Sequence, residues 1–171
     1  VGSGADAVYL VGHQEADPAG RDAGVAPLLK ALREGGFQGP LIGSFAQQTG
    51  LLLEKAPSAV EGMYFTSTRL PPEALPPEAA RLGRRLELEG RYALDAVYGW
   101  AAANVVLDAI AASDGTRAGV RAALFTVTRD GVLGSYRVDD NGDIRPQRVA
   151  IFQARGGRLL YRQSMTVGSA G

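Results

Sequence analysis

The stretch Ala7-Val8-Tyr9-Leu10-Val11-Gly12-His13-Gln14 carries the decision about fold. Apolar residues follow one another from Ala7 to Val11 without polar alternation, and a glycine closes the run. That pattern suits a parallel strand covered on both faces. Downstream, Pro18 and Gly20 punctuate a loop, and Val25, Leu28, Leu29 and Leu32 then recur at helical spacing. Lys30 and Arg33 stand near the end of that helix, and Gly35-Gly36 supplies its stop. Gly39-Pro40 leads into a second apolar stretch, Leu41-Ile42, closed by Gly43-Ser44. A further helix is expected over Thr49 to Lys55, and Gly62-Met63-Tyr64-Phe65-Thr66 reads as a third strand. Strand, helix, strand, helix, strand at this spacing predicts a parallel α/β unit.

The composition shifts at Arg69. Leu70-Pro71-Pro72-Glu73-Ala74-Leu75-Pro76-Pro77 should hold no regular structure, because each proline lacks a donor and restrains its predecessor. It reads as a linker between lobes. Pro77 suits the first position of a helix running to about Glu89, with Gly90 as its break. Tyr92 to Ala112 is the longest helical segment, with Leu94, Val97, Tyr98, Ala101, Val105 and Ile110 near one face. Its alanines suit close packing against a sheet. Ser113-Asp114-Gly115 ends it, and Thr116 can cap a short helix through about Leu124. Val132 to Val138 and Val149 to Ala154 read as strands, with a turn at Asp139 to Asp143 between them. Gly156-Gly157 joins Val149–Ala154 to Arg158–Arg162 as a hairpin, leaving Ser164 to Gly171 as a loose tail.

Composition narrows the function classes. A chain of 171 residues can hide ~70% of its unfolded surface, enough for one domain or slightly more. Lys+Arg 18 against Asp+Glu 18 leaves no net charge and no basic face for nucleic acid. Lys30 and Lys55 are the lysines; the other basic residues are arginines. The absence of cysteine excludes disulfides, thiolate metal sites and cysteine nucleophiles. His13 is the single histidine, so His-rich metal sites are excluded and His-based catalysis has one candidate. The apolar runs are too short for a bilayer span, and no signal-peptide pattern opens these residues. The expectation is a soluble globular protein with no metal and no cofactor.

Most chemical motifs reduce to ordinary turns. Asp139-Asp140-Asn141-Gly142-Asp143 invites a calcium reading, but Ile144 follows where a calcium loop needs glycine, and no glutamate closes it. Turn chemistry explains it better. No phosphate loop and no dinucleotide fingerprint follows a strand. Ser44 lacks the G-x-S-x-G frame of a hydrolase nucleophile. More informative are Gly12, His13 and Gln14 at the carboxyl end of the first strand and Ser44 and Phe45 at that of the second. Open α/β sheets bind ligands at such ends, where His13, Gln14 and Ser44 would be polar handles and Phe45 an aromatic wall. The same residues can equally be ordinary solvated loop residues, and position alone does not choose.

The order of segments resembles a known family. Asp6 to Gly12, a helix ending Leu32-Arg33-Glu34-Gly35-Gly36-Phe37, and Gly39-Pro40-Leu41-Ile42-Gly43-Ser44 are similar to the later part of type I periplasmic binding proteins. The branch resembled is the branched-chain amino-acid (Leu/Ile/Val-type) solute receptors of ABC importers. Val60 to Thr66 resembles that family's strand leading to a lobe crossing, and Tyr92 to Tyr98 its tyrosine-rich long helix. Gly131 to Asp139, Asn141-Gly142-Asp143, and Ala150 to Ala154 with the Gly-Gly hairpin resemble its closing segments.

The resemblance implies a periplasmic-binding-protein-like α/β fold, a partial two-lobe parallel-sheet architecture with a C-terminal β-hairpin. The family's proteins are about twice this long, and the chain corresponds to their carboxyl-terminal half. On that basis residues 1–68 are the end of the second lobe and 69–77 a hinge. Residues 78–149 are the returning part of the first lobe, and 150–171 the hinge return, hairpin and tail. The implied role is a non-enzymatic, extracytoplasmic solute receptor holding a small organic ligand, such as an amino acid or a carboxylic or aromatic acid, between lobes. Its partners would be that ligand, the missing N-terminal half, and a membrane ABC permease, with self-association of the fragment also expected. A ligand-sensing regulatory domain on the same fold is the alternative, followed by an α/β enzyme using His13 as base. Gly12, His13 and Gln14 match the family's strand-end loop that touches ligand. Ser44 and Phe45 match the loop where amino-acid receptors place an acid for the ligand ammonium, and here no acid stands there. A buried ammonium without a counter-charge costs several kcal/mol, so the expected ligand lacks an α-amino group.

Overall fold

The computed structural model describes residues 4–11, 24–44, 50–86, 90–126 and 128–167. The first apolar run forms β1 (Val8–Leu10), followed by α1 (Val25–Glu34), β2 (Leu41–Gly43), α2 (Gly50–Lys55), α3 (Pro57–Val60) and β3 (Tyr64–Ser67). A 3-10 turn at Pro72–Ala74 precedes α4 (Pro77–Arg85), α5 (Gly90–Ala111) and α6 (Arg117–Leu124). The chain ends in β4 (Thr128–Gly131), β5 (Gly134–Val138), β6 (Ile144–Arg145), β7 (Gln147–Arg155) and β8 (Arg158–Val167). These elements fall into two units, Val1–Arg69 with Val149–Met165, and Leu70–Arg148 with Thr166–Gly171. No helix among the described residues is long and apolar enough to cross a membrane.

The first unit is built on a sheet of order β1-β2-β3-β7-β8. β1, β2 and β3 run parallel, and β7 lies antiparallel to β3. Register places Leu10 beside Gly43, Gly43 beside Phe65, and Phe65 beside Phe152. These residues share one face, and that face carries the core. Leu10, Leu41, Phe65 and Ala154 pack there with Val25, Ala26 and Leu29 of α1, Leu52 of α2, and Ala59 and Val60 of α3. α1 stops where the glycine pair demanded. Phe37 N–H donates to Leu32 C=O and Gly36 N–H to Arg33 C=O, with Gly36 in the left-handed region at φ 85°. That paired closure satisfies carbonyls a helix end leaves open, and glycine adopts it without a Cβ clash.

The second unit holds α4, α5, α6 and the separate antiparallel sheet β4-β5-β6. Ala79 and Leu82 of α4 and Val97 of α5 form its small core, with Leu75, Val132 and Leu133 against it. Thr116 caps α6 by accepting from Gly119 N–H at 3.0 Å. Tyr136 of β5 is buried, its hydroxyl donating to Ala101 C=O of α5 at 3.4 Å, and that burial raises its pKa.

Several sequence expectations change. β1 is not covered on both faces: Tyr9 is 56% exposed, because α1, α2 and α3 all gather on the opposite face. Val132–Val138 is not one strand; Val132 and Leu133 form the turn between β4 and β5 and are drawn onto the α4 core. Pro72–Ala74 is regular, since a 3-10 turn tolerates proline at its start, where no N–H is needed. α4 ends at Arg85, and Gly90 begins α5 rather than breaking a helix. Within α5, Val97, Ala101, Val105 and Ala109 are buried while Ile110 is exposed. β8 continues to Val167, through residues read as tail.

Candidate functional site

Of the five residues singled out for ligand contact, Gly12, His13, Gln14 and Phe45 lie outside the described residues. Ser44 is described, half-buried, directly after β2. The register shows what the sheet does for it. Leu10 and Gly43 are paired partners at the carboxyl ends of parallel neighbours, so the segments opening at Val11 and Ser44 leave from the same sheet edge. β3 reaches that edge one residue further on: Thr66 Oγ1 donates to Gly43 C=O at 3.5 Å. Strand alternation puts Ser44 and Thr66 on one face, opposite Gly43 and Phe65. The sequence reading left Thr66 inside a strand. The signal that finds it is the β2–β3 register, which joins residues 22 positions apart.

Beyond Thr66 the chain is tied down before it leaves the unit. Ser67 is buried; its Oγ donates to Arg69 C=O at 3.1 Å and accepts from Arg69 N–H at 3.0 Å. Ser67 also pairs with Ala150 on β7, which returns to the unit beside it. The described part of this edge thus offers neutral hydroxyls, able to donate or accept, on a backbone held by strand pairing.

Other polar groupings are used up internally. Asp139 Oδ1 accepts from the N–H groups of Asp143 at 2.9 Å and Asn141 at 3.0 Å, and Oδ2 from Arg145 Nε at 2.8 Å. The Asp143 N–H is the main cause holding the Asp139 carboxyl below its usual range, with Arg145 adding to it. Its oxygens serve the turn. No group of three His, Cys, Asp or Glu among the described residues could hold a metal ion. A hollow of about 230 Å³ between α1 and α3, lined by Lys30, Arg33 and Glu34, lies toward the carboxyl end of α1. It is smaller than the roughly 300–1,000 Å³ of ligand clefts.

A parallel sheet whose strands end together at one edge has many possible uses, and comparison with known proteins selects among them. The family model described as periplasmic binding protein matches residues 2–158. The chain belongs to the periplasmic binding protein family. Its fold is accordingly periplasmic-binding-protein-like, with mixed α/β units and C-terminal antiparallel strands. Among solved structures, a leucine-binding protein of Thermotoga maritima is 26% identical, with a TM-score of 0.68, covering 94% of this chain and 44% of its own. A branched-chain amino-acid transporter substrate-binding protein of Streptococcus pneumoniae, solved with isoleucine, is 16% identical at TM-score 0.60. The overlap covers 97% of this chain and 45% of that one. A leucine-, isoleucine-, valine-, threonine- and alanine-binding protein of Brucella ovis, in a closed conformation, is 15% identical at TM-score 0.63. It covers 95% of this chain and 44% of its own. The latter two likenesses concern fold alone. The chain thus spans under half the length of these structures. No curated protein matches it.

Proposed function

We propose that this periplasmic binding protein chain is part of an extracytoplasmic solute receptor that delivers a small organic molecule to an ABC permease. The observation that carries the reading is the family match over residues 2–158, joined to strand ends that converge on one sheet edge. The role is capture rather than turnover. Desolvated hydrogen bonds would hold the ligand, and closure around it would be the state read by the permease. The remaining polypeptide of a receptor of the relatives' length would complete the site.

For the ligand, the residues of this edge favour a molecule without a primary ammonium where they meet it. Ser44 and Thr66 are neutral, and Gly12, His13, Gln14 and Phe45 bring no fixed negative charge. An ammonium desolvated against them would lack a counter-ion, at several kcal/mol. An aliphatic or aromatic carboxylic acid lacking the α-amino group fits better, its carboxylate held by the rest of the receptor. Isothermal calorimetry on the full-length receptor, with leucine, valine and their deaminated acids as titrants, is the test. The expected result is binding of the acids with leucine and valine silent, and weaker binding after Phe45→Glu. Tight leucine or valine binding with silent acids would refute the ligand class while keeping the receptor role. Silence toward every small solute would refute both.

A further inference from the structure

The sequence holds two asparagines, and their surroundings differ. Asn104 lies inside α5, is followed by the β-branched Val105, and donates through Nδ2 to Trp100 C=O at 2.8 Å. Asn141 is followed by Gly142 and stands exposed in the turn between β5 and β6. The side-chain amide of asparagine is open to attack by the main-chain nitrogen of the next residue, and glycine leaves that nitrogen unshielded. Here the Gly142 nitrogen would give up its proton and bond to Asn141 Cγ. The Cγ–Nδ2 bond breaks, ammonia leaves with that proton, and a cyclic imide remains. Water then opens the imide at either carbonyl, giving aspartate or isoaspartate. The sum consumes water, releases ammonia and needs no other reactant.

The turn opposes the first step. Gly142 N–H donates to Asp139 C=O at 2.8 Å, so the attacking nitrogen is held on an acceptor other than Cγ. Asn141 N–H donates to Asp139 Oδ1 at 3.0 Å, which fixes the main chain on the other side of the reacting pair. Asp139 N–H donates to Asp143 C=O at 2.8 Å, and Oδ1 accepts from Asp143 N–H at 2.9 Å. Arg145 Nε braces the second carboxylate oxygen at 2.8 Å. Charge acts in the same direction. Asp139, Asp140 and Asp143 flank the Gly142 nitrogen in sequence, and like charge disfavours the anion it must become. Every bond in this closure lies within residues 139–145, inside the second unit.

We propose that Asn141-Gly142 is a site of spontaneous deamidation in this protein and that Asp139 is the residue guarding it. Opening of the turn then sets the rate. Once the reaction has occurred, the turn does not close again as before. Deamidation adds a carboxylate beside those of Asp139, Asp140 and Asp143, and the isoaspartate form also adds a methylene to the main chain. That methylene lies between the paired residues Val138 and Ile144, so β5 and β6 lose their register. This inference is independent of the solute-receptor reading.

The test is to age the 171-residue chain in mildly alkaline buffer, native and in denaturing urea, and follow both asparagines by peptide mass spectrometry. The expected result is conversion at Asn141 ahead of Asn104, slower in the native chain than in the denatured one by about tenfold or more. Asp139→Ala should raise the native rate by about tenfold, because it removes two acceptor bonds and a negative charge together. Arg145→Gln leaves Asp139 in place without its brace and should raise the rate by less. Circular dichroism checks that both variants are folded. In the aged parent chain, hydrogen exchange should quicken in β5 and β6 and stay unchanged in β2 and β3. Equal rates in the native and denatured chain overturn the proposal. So does a native rate that neither variant moves. So does conversion at Asn104 ahead of Asn141, or a denatured chain that keeps Asn141 intact.

Discussion

Gln153 is a buried polar side chain at the centre of the first unit's sheet, and replacing it by methionine tests how that sheet is held. Its Nε2 donates to Gly62 C=O at 3.1 Å, at the entrance to β3. Its Oε1 accepts from Arg162 Nη2 at 2.8 Å and Nε at 3.1 Å, reaching across to β8. One amide therefore ties three strands. Gln153→Met keeps the length and removes every bond. The amide–carbonyl bond contributes about 1 kcal/mol, and leaving a carbonyl unpartnered adds about 1 kcal/mol where it is half-buried, as Gly62 is. Bonds to a charged donor can reach about 1.5–3 kcal/mol, but Arg162 is exposed and water replaces its partner, so about 1 kcal/mol is the fair share. Burying the thioether returns less than about 1 kcal/mol. The expected loss is about 2 kcal/mol, or a Tm lower by roughly 4–8 °C for a chain of this size. Gln153→Glu keeps the acceptor, loses the donor, and should fall between the two. Urea unfolding would measure the loss, with hydrogen exchange of β7 and β8 amides locating it in the first unit. A methionine variant within about 0.5 kcal/mol of the parent would show that the three-strand tie contributes nothing.

Three further outcomes are expected. Phe65→Ala empties the centre of the first unit's core, where the ring is 1% exposed, and should cost about 3–5 kcal/mol by the same urea assay. Gly157→Val forces a β-branched residue to φ 72° in the β7–β8 turn and should cost about 1–2 kcal/mol, seen as faster exchange in the hairpin. Asp139 titrates below its ordinary value because the Asp143 N–H, and with it Arg145, favours the carboxylate. Its contribution to stability is therefore present above the ordinary aspartate pKa and is lost as pH falls through the lower, folded value. A carboxyl NMR titration should find its midpoint below the ordinary aspartate value, and Asp139→Asn should flatten the acid limb of the stability curve.

Local chemistry made much of the fold readable without coordinates. The Gly35-Gly36 stop of α1, the Thr116 cap of α6 and the Gly156-Gly157 turn each depend on a few neighbouring residues, and each is where the sequence put it. The order of strands and helices, and the resemblance it supported, followed from those signals, because they act over one or two turns of chain. Burial and adjacency are different. Tyr9 and Phe65 both sit in apolar strands, yet one is 56% exposed and the other 1%, because all three described helices of the unit chose the same face. Ile110 lost its expected place to Ala109, since only packing decides which side of an all-apolar helix meets a neighbour. Val132 and Leu133 became a turn because the α4 core could take them there. Ser44 and Thr66 came to one edge through the register of β2 on β3, a pairing across 22 residues that no local pattern encodes. Sequence settles what short-range sterics and hydrogen bonds settle; which residue meets which is fixed only when distant segments compete for the same surface.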